Sequence, residues 1–123
     1  MHERLRSLSS ATRSTPLDPI TPDNAVVLIF DQQEGWFSRI FEAEQTQPLL
    51  LALARAAKLL GVPTVLTTNL ADGFNGPLAR VLSEVFEGQE VIDRTVIDAW
   101  QDPRVHEAVV ATSRKKVIIA GTS

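Results

Sequence analysis

Residues 25–30 read Ala-Val-Val-Leu-Ile-Phe, and the next five residues are Asp-Gln-Gln-Glu-Gly. Six consecutive apolar residues, several of them β-branched, are typical of a strand that is buried on both faces, as in a parallel sheet. The apolar run ends abruptly at Asp31. Because a carboxylate costs free energy to bury unless it is paired or used, Asp31 is either a general base or a turn residue that closes the strand.

Helical and extended patterns alternate along the rest of the chain. Apolar residues at helical spacing predict three helices, over residues 46–60, over residues 77–86 and from Asp102-Pro103 onward. Short apolar runs predict three further strands, over residues 63–68, 90–93 and 117–120. Since right-handed helical crossovers join parallel strands, the order β-α-β-α-β-α-β predicts an α/β fold, an open parallel sheet with flanking helices in a Rossmann-like three-layer arrangement.

Residues 1–24 precede this pattern and have a different character. They contain Arg, Ser and Thr without an apolar run, and Pro16, Pro19 and Pro22 favour extended backbone at the end of the segment. We therefore predict an extended N-terminal arm over residues 1–24 and one domain over residues 25–123. The arm lacks the apolar core of a secretory signal, and no run is long enough to span a membrane, so we expect a cytoplasmic location.

The composition excludes several kinds of site. The 123 residues include no cysteine and only two histidines, which excludes a disulfide framework, a thiolate metal centre and a cysteine nucleophile within the chain. We predict no metal and no cofactor. The 12 basic and 15 acidic residues give a net charge of -3, which offers no electrostatic surface for nucleic acid.

Polar residues that follow the predicted strands are the candidates for a functional site, because ligands of open α/β sheets bind at the carboxyl ends of the strands. Asp31 follows the first strand and Arg94 the third. Arg94 is either the charge partner that keeps Asp31 ionised or a solvated surface residue. Four residues nearby are expected to shape a substrate pocket or, where aromatic, simply to pack at this edge, namely Gln33, Phe37, Asn69 and Trp100.

Five segments carry a resemblance to a known family. They are residues 23–33, residues 62–68, residues 75–78, Arg94 with residues 98–100, and residues 115–121. In order and spacing they cover nearly all of the chain from residue 23 onward. The sequence resembles the isochorismatase-like cysteine hydrolase superfamily, and within it the small uncharacterised hydrolases that carry Arg where Lys is more usual. The resemblance implies a parallel sheet flanked by helices, a homo-oligomer and a small-molecule substrate.

The resemblance also implies a mechanism. Asp31 would take the proton of a cysteine thiol, and Arg94 would stabilise both the ionised Asp31 and the thiolate. The thiolate would attack an amide or related carbonyl and form an acyl-thioester that water cleaves. A cis peptide between Thr122 and Ser123 would direct the backbone N–H of Ser123 into an oxyanion hole.

One departure from the family pattern concerns the nucleophile. In the family the cysteine closely follows the last of these strands, at the start of a helix, and this chain ends before that position. We therefore expect the chain to be the N-terminal part of a longer hydrolase domain. A last strand without a following helix supports the same expectation, because parallel strands need cover on both faces.

Two alternative functions are open at this point. A non-catalytic module that oligomerises or binds a small ligand would use Asp31 and Arg94 as a structural ion pair. A flavodoxin-like or receiver-like domain would hold a flavin or, in an acidic pocket, Mg²⁺, although no acidic pair stands beside Asp31. No Gly-x-Gly-x-x-Gly motif follows the first strand, so a dinucleotide site is not indicated.

Overall fold

The computed structural model describes residues 17–37, 39 and 42–121 of the chain. Its strands are β1 (Ala25–Phe30), β2 (Thr64–Asn69), β3 (Val91–Arg94) and β4 (Lys116–Gly121). Its helices are α1 (Glu34–Phe37), α2 (Ala43–Leu60), α3 (Arg80–Val85) and α4 (Pro103–Ala111), with a 3₁₀ turn over Ala99–Gln101. The predicted alternation of strands and helices is confirmed.

The four strands form one parallel sheet in the order β3-β2-β1-β4. β1 is central, with Ile29 opposite Leu66 on one neighbour and Ala120 on the other. Its first five residues are buried, as expected for a continuous apolar run between two strands. The predicted open parallel sheet is therefore confirmed, and the carboxyl ends of β1, β2 and β3 meet at one edge.

Helices cover the two faces of this sheet. On one face α2 and α3 pack against β1 and β2, and the core there includes Val27, Ile29, Leu50, Ala54, Leu66 and Leu82. On the other face α4 packs against β1, β2 and β3, and the core includes Val26, Leu28, Val65, Ile92, Val105 and Val109. Alternate residues of the strands supply the two cores, which is the side-chain period of two that a strand imposes.

Two helices begin at residues other than those predicted. α2 begins at Ala43, because the N–H groups of Gln45 and Thr46 both donate to the Glu42 carbonyl at 3.0 Å and close an earlier turn. α3 begins at Arg80 instead of residue 77, because the preceding backbone pairs with the segment after β1. There the Ala79 N–H donates to the Gln32 carbonyl at 2.8 Å.

The described end of the N-terminal segment folds onto the domain. Asn24 accepts a hydrogen bond from the Thr21 N–H at 2.9 Å, and Arg114 donates to the Pro22 carbonyl at 2.7 Å. Residues 1–16 of the predicted arm lie outside the described residues. Within the part of the chain that the structure describes, no helix is long and apolar enough to cross a membrane.

Candidate functional site

Asp31 lies directly after β1, at the carboxyl edge of the sheet. Its N–H donates to the Thr67 carbonyl at 3.1 Å, and its φ of 60° lies in the left-handed region. Asp and Asn adopt this conformation more readily than most residues, because their short polar side chains form local hydrogen bonds. An aspartate at this position therefore suits the left-handed backbone after β1 and also supplies a carboxylate to the edge of the sheet.

Asp31 and Arg94 form a buried, bidentate ion pair across the end of β2. Nη1 of Arg94 lies 2.8 Å from Oδ1 of Asp31, and Nη2 lies 3.1 Å from Oδ2. Asp31 is 5% exposed and Arg94 is 0% exposed. Two parallel N–H···O bonds between charged groups are among the strongest hydrogen-bonded contacts in proteins. The structure thus brings together the two residues that the sequence placed at the ends of separate strands.

The remaining N–H groups of Arg94 bind backbone and hydroxyl oxygens. Nε donates to the Val96 carbonyl at 3.1 Å, and Nη2 donates to the Ile97 carbonyl at 2.8 Å. Nη1 also lies 3.1 Å from Oγ1 of Thr67 and 3.3 Å from the Thr68 carbonyl. The guanidinium therefore holds Asp31, the end of β2 and the segment after β3 in one arrangement.

Thr67 is a member of this arrangement that the sequence analysis did not single out. Its side chain is fully buried, and its hydroxyl donates to the Ile92 carbonyl at 2.7 Å while accepting from Arg94. With its hydrogen used by Ile92, the oxygen presents only lone pairs to the guanidinium. A threonine in a strand is an ordinary β-former, so the only signal in the sequence was its place near the end of β2.

Gln33 and Asn69 brace the loops at this edge. The Gln33 amide donates to the Asn69 and Gly76 carbonyls at 3.1 and 2.6 Å and accepts from the Asn69 N–H at 2.8 Å. Asn69 in turn donates to the Val96 carbonyl at 3.1 Å. Because the Gln33 side chain is completely buried, it holds the loops together and does not line an open pocket, which differs from the prediction.

The other predicted site residues have separate positions. Phe37 is the last residue of α1, and its side chain lies outside the described residues. Trp100 lies in the 3₁₀ turn, about half exposed, with its ring edge-on to His106 at 4.5 Å between centroids. Ser123 and the predicted cis peptide bond at residues 122–123 lie outside the described residues.

A second ion pair fastens α4 beside the end of β3. Asp102 caps the helix by accepting the Arg104 N–H at 2.9 Å, and the Arg104 side chain donates to Asp102 at 2.8 Å and to the Asp93 carbonyl at 2.7 Å. The hydrogen bonds from the Arg104 side chain and backbone hold the pKa of Asp102 below its usual range. This pair supports the strand that carries Arg94.

Several clefts lie on the surface of the described residues, including one of about 320 Å³ beside Thr68 and Asp93 at the ends of β2 and β3. One of about 330 Å³ adjoins the end of β4 and is lined by Gln32, Thr46, Leu49, Leu53, Ile119 and Gly121. A larger one of about 550 Å³ lies between α2 and α3, and neither Asp31 nor Arg94 lines it. We place the candidate site at the ion pair for two reasons. Burying charged groups costs free energy, so they are rarely buried without a role, and ligands of open α/β sheets bind at the carboxyl ends of the strands. The described residues contain no group of three or more acidic or histidine side chains that could hold a metal ion.

Comparisons with known proteins agree on one family. The model of the isochorismatase domain matches residues 25–123. The probable hydrolase YcaC of Escherichia coli is 38% identical over 109 residues, which are 86% of this chain and 52% of that protein. The crystal structure of E. coli YcaC, described as an octameric hydrolase of unknown specificity, has a TM-score of 0.81 at 37% identity.

Other solved structures share the same fold. YcaC from Pseudomonas aeruginosa has a TM-score of 0.81 at 38% identity, with 89% of this chain and 55% of that chain covered. An isochorismatase from Pseudomonas putida has a TM-score of 0.72 at 21% identity and covers 97% of this chain and 63% of its own. The chain spans about half the length of the YcaC proteins that it matches.

Proposed function

We propose that this chain, which belongs to the isochorismatase domain family, supplies the Asp and Arg of a thiol-dependent hydrolase that acts on a small amide or related C–N compound. The observation that carries the proposal is the buried, bidentate pair of Asp31 and Arg94 at the carboxyl edge of a parallel sheet. The chain contains no cysteine, so the nucleophilic thiol would come from outside residues 1–123.

The geometry of Asp31 suits a general base. Each carboxylate oxygen accepts one hydrogen bond from Arg94 and keeps a further lone pair, so the pair leaves room for a proton. Asp31 would take the proton of the thiol, and the thiolate sulfur would form a bond to the substrate carbonyl carbon. As the C–N bond breaks, the proton passes to the leaving nitrogen. Asp31 then takes a proton from water as the water oxygen adds to the thioester carbon, and returns that proton to the sulfur as the C–S bond breaks, which regenerates the thiol.

Arg94 is a positioning residue in this scheme. Its two contacts fix the rotation of the Asp31 carboxylate, and its full positive charge stabilises the anion at this buried edge. The charge also offsets the negative charge that moves from Asp31 to sulfur during proton transfer. Because a protonated Asp31 can still accept both hydrogen bonds from Arg94, little reorganisation is needed in this step.

The test uses the whole reading frame that encodes residues 1–123, expressed as far as it extends. We expect a cysteine that iodoacetamide labels and an amidase activity that is lost on labelling. Asp31→Asn should lower kcat by at least about 10²-fold, as for loss of a general base. Asp72→Asn, which changes an exposed carboxylate in a neighbouring loop, is the matched control and should leave kcat unchanged.

A reading frame that supplies no cysteine, or an Asp31→Asn variant as active as the control, would refute the hydrolase proposal. The second result would favour the alternative, a non-catalytic module in which Asp31 and Arg94 form a structural ion pair. The observation that favours this alternative is that Arg94 is fully buried with acceptors for all of its N–H groups. Under it, Asp31→Asn lowers stability and changes nothing else.

We also propose that the protein is a homo-oligomer. The E. coli YcaC structure is described as octameric, and this chain is 37% identical to it. Helix α2 presents Leu49 and Leu59 to solvent, which are 71% and 86% exposed, and large exposed apolar side chains of this kind often mark an interface. Light scattering coupled to size exclusion should give a mass that is a multiple of the protomer mass, and a monomeric mass at micromolar concentration would contradict the proposal.

A further inference from the structure

Thr67, near the end of β2, contacts both members of the ion pair, each with a different atom. Its backbone carbonyl accepts the Asp31 N–H at 3.1 Å, and its hydroxyl oxygen accepts a hydrogen bond from Nη1 of Arg94 at 3.1 Å. Asp31 follows β1 and Arg94 ends β3, and in the sheet these two strands are separated by β2. Thr67 therefore gives a common reference point to two groups whose own strands are not neighbours.

The hydroxyl of Thr67 is held in one direction. It donates to the Ile92 carbonyl at 2.7 Å, and Ile92 lies directly opposite Thr67 in the parallel pairing of β2 with β3. Because a hydroxyl has a single hydrogen, only lone pairs of the oxygen are left for Arg94. Threonine is also β-branched and therefore stiff about its Cα–Cβ bond. The pairing of the two strands thus fixes the position at which Nη1 of Arg94 finds this acceptor.

This acceptor helps to set the orientation of the guanidinium. Nη1 of Arg94 lies 2.8 Å from Oδ1 of Asp31 on one side, and on the other it lies 3.1 Å from the Thr67 hydroxyl and 3.3 Å from the Thr68 carbonyl. Because the guanidinium is planar, fixing both hydrogens of Nη1 fixes its plane. The plane in turn decides whether Nη2 reaches Oδ2 of Asp31, which it does at 3.1 Å. Without the hydroxyl, Nη1 keeps only the longer contact with Thr68 on that side.

The remaining neutral acceptors of Arg94 lie on a less constrained part of the chain. The Val96 and Ile97 carbonyls belong to the segment between β3 and the 3₁₀ turn, and these residues are 39% and 83% exposed. Thr67 is completely buried in a strand that has a neighbour on each side. Exposed segments open more readily than buried strand positions. The Thr67 hydroxyl is therefore a rigid contact that holds the guanidinium against Asp31, whereas the two carbonyls move with their segment.

We infer that Thr67 is a positioning residue for the proposed thiol-dependent hydrolysis and acts on Asp31 through the plane of the Arg94 guanidinium. The inference rests on the proposed function, because it requires Asp31 to be the base. A carboxylate held by two parallel hydrogen bonds presents its remaining lone pairs in one direction, and a small rotation turns them away from the proton that they accept. The loss of the Thr67 hydroxyl should therefore slow the transfer of the thiol proton.

The rate of alkylation by iodoacetamide measures this step in the protein expressed from the whole reading frame. The thiol proton passes to Asp31, the sulfur bonds to the CH₂ carbon of the reagent, and iodide leaves. Thr67→Val keeps the shape of the side chain but has no hydroxyl. We expect it to lower the rate constant about tenfold, since misplacement by about 1 Å costs about 10²-fold in rate and the other contacts of Arg94 limit the movement to less. Thr67→Ser keeps the hydroxyl and should restore most of the rate.

Leu82→Val is the matched control for a loss of stability. Leu82 is completely buried on α3, in the core on one face of the sheet. Thr67 alternates with Leu66 of that core and shares the opposite face with Val65. Shortening Leu82 removes buried apolar contacts, so this variant should have a lower urea midpoint. Its alkylation rate should equal that of the wild-type protein.

The double variant Asp31→Asn/Thr67→Val separates positioning of the base from a general effect on the structure. If Thr67 acts through Asp31, its loss causes no further decrease once the base is gone. The double variant should therefore react within about twofold of Asp31→Asn alone, which is a strongly non-additive result.

A spectroscopic measurement reports the orientation of Arg94 directly. In protein labelled with ¹⁵N-arginine, the Arg94 signals are those that disappear in Arg94→Met. We expect rotation of the Nη1 group to become severalfold faster in Thr67→Val and to stay slow in Thr67→Ser, because only the first variant removes the nearer neutral acceptor of Nη1.

Three results would overturn the inference. They are an alkylation rate in Thr67→Val equal to that of the wild-type protein, equal losses in Thr67→Val and Thr67→Ser, and a double variant much slower than Asp31→Asn. Each of them leaves the hydrolase proposal standing if Asp31→Asn itself reacts slowly. A protein with no alkylated thiol would instead refute the hydrolase proposal, and with it the inference that rests on it.

Discussion

Replacing Arg94 by Met tests how far the ion pair holds the fold together. The substitution keeps an unbranched apolar stem but removes the charge, so the Asp31 carboxylate is left 5% exposed with no counter-charge. Removing one partner of a buried ion pair costs about 3–5 kcal/mol, because the remaining charge is both desolvated and unpaired. The carbonyls of Val96 and Ile97 lie nearer the surface and regain water, so they add little.

The complementary variant predicts a smaller loss. In Asp31→Asn the guanidinium loses its counter-charge but keeps its acceptors on Thr67, Val96 and Ile97. The Asn oxygen can accept one of the two Arg94 contacts, so the loss is about 1.5–3 kcal/mol for the charge-assisted hydrogen bond that is removed. The double variant Arg94→Met/Asp31→Asn removes both charges. It should therefore cost less than the sum of the two single variants, since no unpaired charge remains.

Urea unfolding followed by tryptophan fluorescence measures these free energies. With an m-value of about 1.5–2 kcal/mol/M, Arg94→Met should lower the midpoint by about 2 M. The matched control is Arg80→Met, which breaks an exposed pair with Glu84 on α3 and should cost no more than about 0.5 kcal/mol. If Arg94→Met costs no more than this control, the ion pair does not stabilise the fold and the reasoning is refuted.

Three further predictions concern the surroundings of the pair. Thr67→Val should lower the free energy of unfolding in urea by about 1–3 kcal/mol, because it removes an acceptor of Arg94 and the donor to the Ile92 carbonyl. Thr67→Ser keeps both hydrogen bonds and is the control; equal losses in the two variants would show that packing alone matters. Gly35→Ala should destabilise the α1 segment, because a Cβ there would lie 2.6 Å from the Phe74 carbonyl oxygen. Hydrogen exchange of the amides of residues 34–37 should become faster, and unchanged protection would contradict the prediction. The hydrogen bonds from Arg104 lower the pKa of Asp102, so the contribution of this pair to stability is complete above the ordinary carboxyl pKa of 3.8 and is lost as the pH falls through the lowered value. Asp102→Asn should reduce the loss of stability in this acid range, measured as the free energy of unfolding against pH. An unchanged dependence on pH would show that the Arg104 contact with Asp102 does not cause the loss.

The sequence was sufficient for the order of the elements and for the two charged residues. The apolar run at residues 25–30 predicted a central buried strand, because only a strand with neighbours on both sides needs six apolar residues in succession. Asp31 and Arg94 were predicted together because parallel strands end at the same edge of the sheet. Both steps rest on side-chain type and chain direction, which a single sequence contains.

Features that depend on backbone carbonyls could not be predicted. Nothing in the residues at 96 and 97 indicates that their carbonyls turn toward Arg94, because any residue carries the same carbonyl. Gln33 was expected to shape a pocket because it follows β1 at the edge of the sheet where ligands of open α/β sheets bind. Its burial follows from three backbone groups that surround its amide, and those groups come from residues 69 and 76 in a loop distant in sequence.

The contacts of Arg94 also explain why arginine suits this position better than lysine. An ammonium group has three N–H donors on one atom, whereas the guanidinium spreads five over a planar fork. Here the fork meets both oxygens of Asp31 on one side and the carbonyls of Val96 and Ile97 on the other. A lysine could pair with Asp31 but would remove the donor to the Ile97 carbonyl and leave the Val96 carbonyl with the Asn69 amide, so the segment after β3 would be held less firmly. The choice of cation at this edge therefore determines how firmly the segment after β3 is held beside Asp31.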